Sequence, residues 1–254
     1  MIGIFDSGIG GLTVLKHIHE RLPQYSTIYL GDTAHAPYGT KTHDQITEYT
    51  WAGVKWLFGK GCPLVILACN SASSQALRTI QQNLLHEYPG KKVLGVIRPT
   101  AEELAGKYRK IGILATPATV SSNAYVNELH HLNPILQITQ YACPDWVTLV
   151  ESGKTYSDEA SVIVKRDIEK LLEQDDKIEA VLLGCTHYPH LYDQIRSALP
   201  DEIEVYDQGP IVAAQLEDYL KRHPEIEKQL DISGDREYYE TKSDSVIEKA
   251  EFFV

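Results

Sequence analysis

Val65-Ile66-Leu67-Ala68-Cys69-Asn70-Ser71 and Val181-Leu182-Leu183-Gly184-Cys185-Thr186-His187 share one plan. Each is an apolar run that ends in a small residue, a cysteine and two polar side chains. A continuous apolar run of this length suits a strand buried on both faces, and such strands belong to parallel sheets. In open parallel sheets, ligand groups gather beyond the carboxyl ends of the strands. The two segments read as one device used twice, a pair of thiols facing each other across a cleft. That pair suits a reaction needing an acid or base on each face of a substrate.

The flanking sequence repeats strand, polar loop, helix. Residues 2–5 form an apolar run, Asp6-Ser7-Gly8-Ile9-Gly10-Gly11 a turn, and Val14, Leu15, Ile18 and Leu22 recur at helical spacing before Pro23. Strands are expected at 27–30, 64–68 and 93–96, and helices around 46–58 and 73–85. The second half repeats this grammar. Ile111-Gly112-Ile113-Leu114 stands 109 residues after Ile2-Gly3-Ile4-Phe5, and Cys185 stands 116 after Cys69. Near-equal offsets predict a duplicated architecture. Val212, Leu216, Tyr219 and Leu220 predict a late helix, and 237–240 is strand-like. No Gly, Ser or Pro linker marks a boundary, so two domains that exchange chain are expected.

The chain has 254 residues, 43% hydrophobic and 23% charged, as a soluble globular protein requires. Its net charge of −11 argues against a nucleic-acid partner. No apolar run approaches the roughly 20 residues that span a bilayer, and the amino terminus lacks a signal-peptide pattern. A cytoplasmic protein with no membrane partner is expected. Cys62, Cys69, Cys143 and Cys185 fit no zinc spacing, so free thiols and no metal are expected.

A buried free cysteine is most often core, and Cys62 and Cys143, each before a proline, are read that way. Cys69 and Cys185 differ by their matched strand ends, where helix N–H groups favour a thiolate. Asp6 is either a helix N-cap or a proton-holding or ammonium-binding group. Ser7 and the glycines offer donors to an anion. His187 shares a strand face with Cys185 and suits tuning a thiol or shuttling a proton. Asn70, Ser71 and Thr186 serve as helix caps or as ligands for carboxylates and amines. Thr116 and Thr119 are weaker candidates of that type. Pro37-Tyr38-Gly39 is a turn signal that also lines a site.

Taken together, Ile4-Phe5-Asp6-Ser7-Gly8-Ile9-Gly10-Gly11, Asp32-Thr33-Ala34 with Pro37-Tyr38-Gly39, Ala68-Cys69-Asn70-Ser71-Ala72, Gly184-Cys185-Thr186-His187-Tyr188-Pro189 and Ser233-Gly234-Asp235 resemble the cofactor-independent aspartate/glutamate racemase family over nearly the whole chain. The resemblance implies two similar parallel-sheet α/β domains related by a pseudo-twofold axis, with the site between them. The expected division is 1–94 plus 208–254, and 95–207. It implies Cys69 as the catalytic acid/base on the D-glutamate face and Cys185 on the L-glutamate face, assisted by Asp6 and His187. Ser7, Tyr38, Gly39, Asn70, Ser71, Thr186 and His187 then line the glutamate site. It also implies a homodimer, no cofactor, and a supply of D-glutamate for peptidoglycan. Three positions depart from the family pattern: Ser71 where threonine is usual, His35 where arginine is common, and Arg98 where glutamate is common. Racemisation of aspartate or another amino acid, a one-thiol isomerase or decarboxylase, and a non-catalytic amino-acid-binding protein are the competing readings.

Overall fold

The computed structural model describes residues 1–242. The first half runs β1 (Ile2–Asp6), α1 (Leu12–Arg21), β2 (Thr27–Gly31), α2 (His43–Gly59), β3 (Leu64–Leu67), α3 (Asn70–Gln75), β4 (Lys92–Gly95) and α4 (Ile97–Leu104). The second half runs β5 (Lys110–Ala115), α5 (Pro117–Ser121), α6 (Ala124–Leu132), β6 (Gln137–Ala142), α7 (Trp146–Glu151), α8 (Asp158–Gln174), β7 (Ala180–Gly184), α9 (Tyr192–Ala198) and β8 (Glu204–Tyr206). The chain then continues through α10 (Gln208–Arg222) to β9 (Arg236–Glu240).

Every strand pairing is parallel. One sheet has the order β4-β3-β1-β2-β9 and the other β8-β7-β5-β6. The orders match strand for strand, with β9 as an added edge, so the duplication expected from the two offsets is real in topology. β3 and β7 are equivalent strands, and so are β1 and β5. In each sheet the chain leaves the central strand to one side and returns on the other, between β1 and β3 or between β5 and β7. Loops beyond such a reversal diverge and leave a crevice. The loops that end β1, β3, β5 and β7 begin at or just before Ser7, Cys69, Thr116 and Cys185.

Alternation along the strands divides each core into two layers. Ile2 and Ile4 pack with Leu15 and Ile18 of α1 and Val212 and Leu216 of α10. Phe5, Leu30, Val65 and Leu67 face Val54 and Leu57 of α2. In the second sheet Val181 and Leu183 meet Trp146, Val164 and Ile168, whereas Ile111, Ile113 and Leu182 meet Tyr125 and Leu129. Full burial of each such side chain stabilises by about 1.5–3 kcal/mol before entropy is subtracted. These two-sided cores hold the strand ends, and therefore the thiols, on rigid elements.

Two local features refine the sequence reading. The helix expected over 73–85 starts earlier, at Asn70, because Cys69 is its N-cap and the Sγ accepts the Ala72 N–H at 3.4 Å. Farther on its pitch loosens into a π turn at Ile80–Leu84. The strand-like 237–240 becomes β9, paired with β2. Gly234, at φ +77°, makes the turn that leads into it. Residues 243–254 of the expected first domain lie outside the described residues. No helix among the described residues is long and apolar enough to cross a membrane.

Candidate active site

Cys69 and Cys185 project from equivalent strand ends into one cavity between the halves, and both are almost fully buried. Ser7, Tyr38, Gly39, Asn70 and Ser71 line it from the first half. Thr116, Glu151, Thr186 and His187 line it from the second. Two expected residues stand just behind this wall. Asp6 lies beneath it, and Thr119 sits behind Thr116, accepting its hydroxyl at 3.1 Å.

The two thiols have different surroundings. The Cys69 Sγ lies 3.3 Å from the Ser7 hydroxyl. Burial, then the neighbouring Asp6 charge, pushes its pKa up to about 12, against the opposing hydrogen bonds from Ser7 and the Ala72 N–H. At neutral pH Cys69 is therefore a thiol. The Cys185 Sγ lies 3.9 Å from Nδ1 of His187, whose Nε2 lies 3.2 Å from Glu151 Oε1. Burial alone disfavours a charged imidazole. Cys185 and Glu151, and then the Asp6 charge, outweigh it and push the His187 pKa up to about 10. An imidazolium beside Cys185 is a counter-charge for a thiolate.

Asp6 belongs to both halves. Its Oδ2 accepts the Gly8 N–H at 3.0 Å and its Oδ1 the Thr186 hydroxyl at 3.5 Å. Burial raises its pKa, partly offset by His187 and by backbone N–H groups. Its charge also acts on Cys69 and on His187. The N-cap of α1 is Gly11, so the capping role open to Asp6 in the sequence is filled elsewhere. Thr116 does cap its helix, accepting the Thr119 N–H at 3.3 Å, and also shares a 2.9 Å hydrogen bond with Ser71 across the cleft. Ser71 thus offers a hydroxyl at this position, bonded to Thr116.

Tyr38 is buried, and its hydroxyl donates to Asp32 Oδ2 at 2.5 Å. Asp32 is also held by His35 Nδ1 at 2.9 Å and by the Thr241 hydroxyl at 2.6 Å. His35 stacks on Tyr49, and Arg98 pairs with Glu102 and Glu128, so the bonds of these two unusual residues go elsewhere than to the thiols. Cys62 and Cys143 are buried free thiols outside the cavity. Among the described residues no group of three His, Cys, Asp or Glu side chains is placed to hold a metal ion.

Sequence reasoning missed Glu151. It sits at the carboxyl end of α7, where the helix dipole disfavours an anion. That misfit was its one legible signal, and the His187 ring is what offsets it. Glu151→Gln is expected to lower kcat/KM about three- to tenfold, a charged hydrogen bond discounted for the partial exposure of the carboxylate. The Glu151 charge raises the His187 pKa, so its removal should move the alkaline limb of kcat/KM to lower pH. Any ammonium on the substrate titrates identically in both enzymes, so the displacement between their profiles is the readout. Superimposable profiles would show that Glu151 does not hold the imidazolium.

The cavity is only about 20 Å³, room for about one water. Small-molecule pockets usually run to some hundreds of Å³. The halves meet closely at the thiols, and a cavity of this size would have to widen to admit an amino acid. A larger cavity of about 530 Å³, lined by Phe5, Leu30, Trp56 and Tyr239, contains neither thiol. Size alone does not mark a reaction site, and no thiol faces this cavity.

Two duplicated parallel α/β halves, each giving one strand-end thiol to a shared closed cleft, define an amino-acid racemase class of enzyme. A family model described as Asp/Glu/Hydantoin racemase matches residues 2–216, and the chain belongs to that family. It is 42% identical over 237 residues to a glutamate racemase of Jannaschia sp. (strain CCS1), covering 89% of this chain and 86% of that protein. It is 41% identical over 237 residues to one of Paracoccus denitrificans (strain Pd 1222), with the same coverage. Among solved structures, the glutamate racemase of Francisella tularensis in complex with D-glutamate superposes with a TM-score of 0.86 at 29% identity, covering 99% of this chain and 92% of that one. RacE1 of Bacillus anthracis gives a TM-score of 0.84 at 30% identity, covering 94% and 87%.

Proposed function

We propose that this chain interconverts L- and D-glutamate by proton transfer at the α-carbon, with Cys69 and Cys185 as the two acid/bases. The observation that carries the reading is the pair of thiols at equivalent strand ends, facing one closed cavity from opposite halves. A single base tends to return a proton to the face it left. Two bases on opposite faces invert the centre. The surroundings of the two thiols differ: burial and Asp6 hold Cys69 protonated, and the His187 cation stands beside Cys185 as a counter-charge for the thiolate that proton abstraction needs. Cys185 then takes the α-proton of L-glutamate while Cys69 delivers one to the other face, and the reverse reaction begins with the roles exchanged. The Asn70 amide and the Ser71 and Thr186 hydroxyls are donors for charge developing on the substrate carboxylate. Closure excludes water and strengthens those interactions.

In this reading no cofactor takes part, the enzyme works in the cytoplasm, and its D-glutamate serves peptidoglycan. The first domain comprises 1–94 and the part of the chain returning from 208, and the second 95–207. The pairing of β9 with β2 supports that return. A homodimer belongs to the same reading, and sedimentation equilibrium tests it.

The test of activity is incubation in D₂O with each glutamate enantiomer, followed by circular dichroism and by deuterium at the α-carbon. Loss of optical rotation from either side with solvent deuterium in the product is expected. Deuterium entering aspartate but not glutamate would move the substrate assignment to aspartate. Binding of glutamate without exchange would make the chain an amino-acid-binding protein. Structures called an aspartate racemase and an aspartate racemase homologue are each 20% identical to this chain, and that likeness speaks to fold alone.

A further inference from the structure

Asn70 follows Cys69 directly, lines the reaction cavity, and is tied from behind by a chain of buried polar groups the reaction does not otherwise use. Its Nδ2 donates to Gln208 Oε1 at 2.6 Å, and its Oδ1 accepts the Tyr125 hydroxyl at 2.6 Å. Gln208 Nε2 donates to Thr100 Oγ1 at 3.2 Å and to the Tyr125 oxygen. The Thr100 hydroxyl donates to the Val96 carbonyl at 2.7 Å. Asn70 and Gln208 are 2% exposed, and Thr100 and Tyr125 0%.

The sense of this chain is fixed at one end. The Thr100 hydroxyl spends its single proton on the backbone carbonyl four residues earlier, so its oxygen acts as an acceptor. Gln208 must therefore turn its NH₂ toward Thr100 and Tyr125 and its carbonyl toward Asn70. Tyr125 accepts from Gln208 and spends its own proton on Asn70. Asn70 is left with its oxygen occupied by a donor and one Nδ2–H not engaged by Gln208. A flipped Asn70 amide would set oxygen against oxygen at Gln208 and N–H against O–H at Tyr125, at a full desolvation cost inside the protein.

We infer that Gln208 is a positioning residue. Through Tyr125 and Thr100 it commits the Asn70 side chain to present an N–H, and not a carbonyl, to the cavity. The cavity thereby selects for a carboxylate at that point and against the substrate ammonium. The members come from α3, α4, α6 and α10, on both sides of the cleft, so the orientation is complete only when the halves are closed.

The inference rests on the racemase reading only for which substrate group Asn70 meets. Gln208→Glu keeps the shape and the acceptor but removes both donors. It is expected to lower kcat/KM for glutamate roughly ten- to hundredfold, the loss of one hydrogen bond to a charged group. Added to Asn70→Ala, it should cost less than about twofold more, because it acts through Asn70. Tyr125→Phe should behave in the same way and serves if Gln208→Glu fails to fold. Additive losses would make Gln208 and Tyr125 packing residues and overturn the inference. A second measurement needs no substrate: solvent exchange of the Asn70 side-chain amide by NMR. One slow proton in the wild type, accelerated in Gln208→Met, which takes away the acceptor of the Asn70 Nδ2–H, is expected. Equal exchange in both would overturn the inference even in an active enzyme, whereas a wild type that leaves glutamate untouched defeats the racemase reading alone.

Discussion

Cys69→Ala and Cys185→Ala are each expected to lower racemisation of glutamate by about a thousandfold or more, near the upper range for a lost general acid or base. The reaction is a relay, so either loss stops inversion. The residual chemistry should differ between the variants. In Cys69→Ala, Cys185 and its imidazolium remain, so L-glutamate should slowly exchange its α-proton with D₂O while keeping its configuration. In Cys185→Ala the remaining thiol is the one that burial and Asp6 hold protonated. Exchange should then be confined to D-glutamate and be slower at neutral pH, rising as the pH approaches about 12, the pKa of the Cys69 thiol. Deuterium analysis of each recovered enantiomer separates these outcomes. Inversion near the wild-type rate in either variant, or exchange of both enantiomers by one variant, would falsify the two-thiol mechanism, whereas exchange of the opposite enantiomer by each variant would reverse only the assignment of faces.

The readable part of this protein was what the backbone dictates locally. Apolar runs marked β3 and β7, and the cysteines stood at their ends, where a parallel sheet exposes its loops. Near-equal offsets then anticipated a strand order that is the same in both sheets. The asymmetry of the site was less legible. Sequence proximity put His187 with Cys185 and loop logic put Asp6 with Cys69, but the Asp6 hydrogen bonds go to Gly8 and to Thr186 of the other half. Glu151 and Gln208 carried no motif. Each reaches the site by tertiary packing, from the end of α7 and the start of α10. Periodicity reports which face of a helix is apolar; it does not report which single polar side chain at a helix end turns inward.

The same distinction bears on closure. Four of the polar ties that bridge the halves near the thiols are Ser71 with Thr116, Thr186 with Asp6, Thr13 with the Thr186 carbonyl, and Tyr125 with Asn70. All four are polar and local. Each is worth only about 0.5–1.5 kcal/mol net, so the closed state is held by several weak bonds that substrate entry breaks together. Such a latch favours the closed geometry without freezing it, as an enzyme that must release product requires.

Gly10→Ala is expected to be the most damaging change that leaves both thiols in place. A Cβ at Gly10 would lie 2.5 Å from the His187 ring and 2.5 Å from Thr186 Oγ1. Neither neighbour yields easily, because His187 is bonded to Cys185 and Glu151, and Thr186 to Asp6. Gly10 is not in the left-handed backbone region, so alanine fits the turn itself. The conflict lies wholly between the halves. Each half should fold, and the thermal midpoint should change little, but the cleft should stop short of closure. Displacing one thiol by about 1 Å relative to the other is enough to cost about a hundredfold in kcat/KM. Gly8→Ala is the internal control. Gly8 is buried, but its Cβ would meet Glu151 Oε1 at 3.6 Å and the Ala36 Cβ at 4.0 Å, ordinary contacts that require no neighbour to move, so activity should stay within about twofold. Small-angle scattering should show Gly10→Ala more open than the wild type and Gly8→Ala unchanged. If both variants turn glutamate over alike, the closed cleft is not the reactive state, and the thiols must do their chemistry in a wider arrangement.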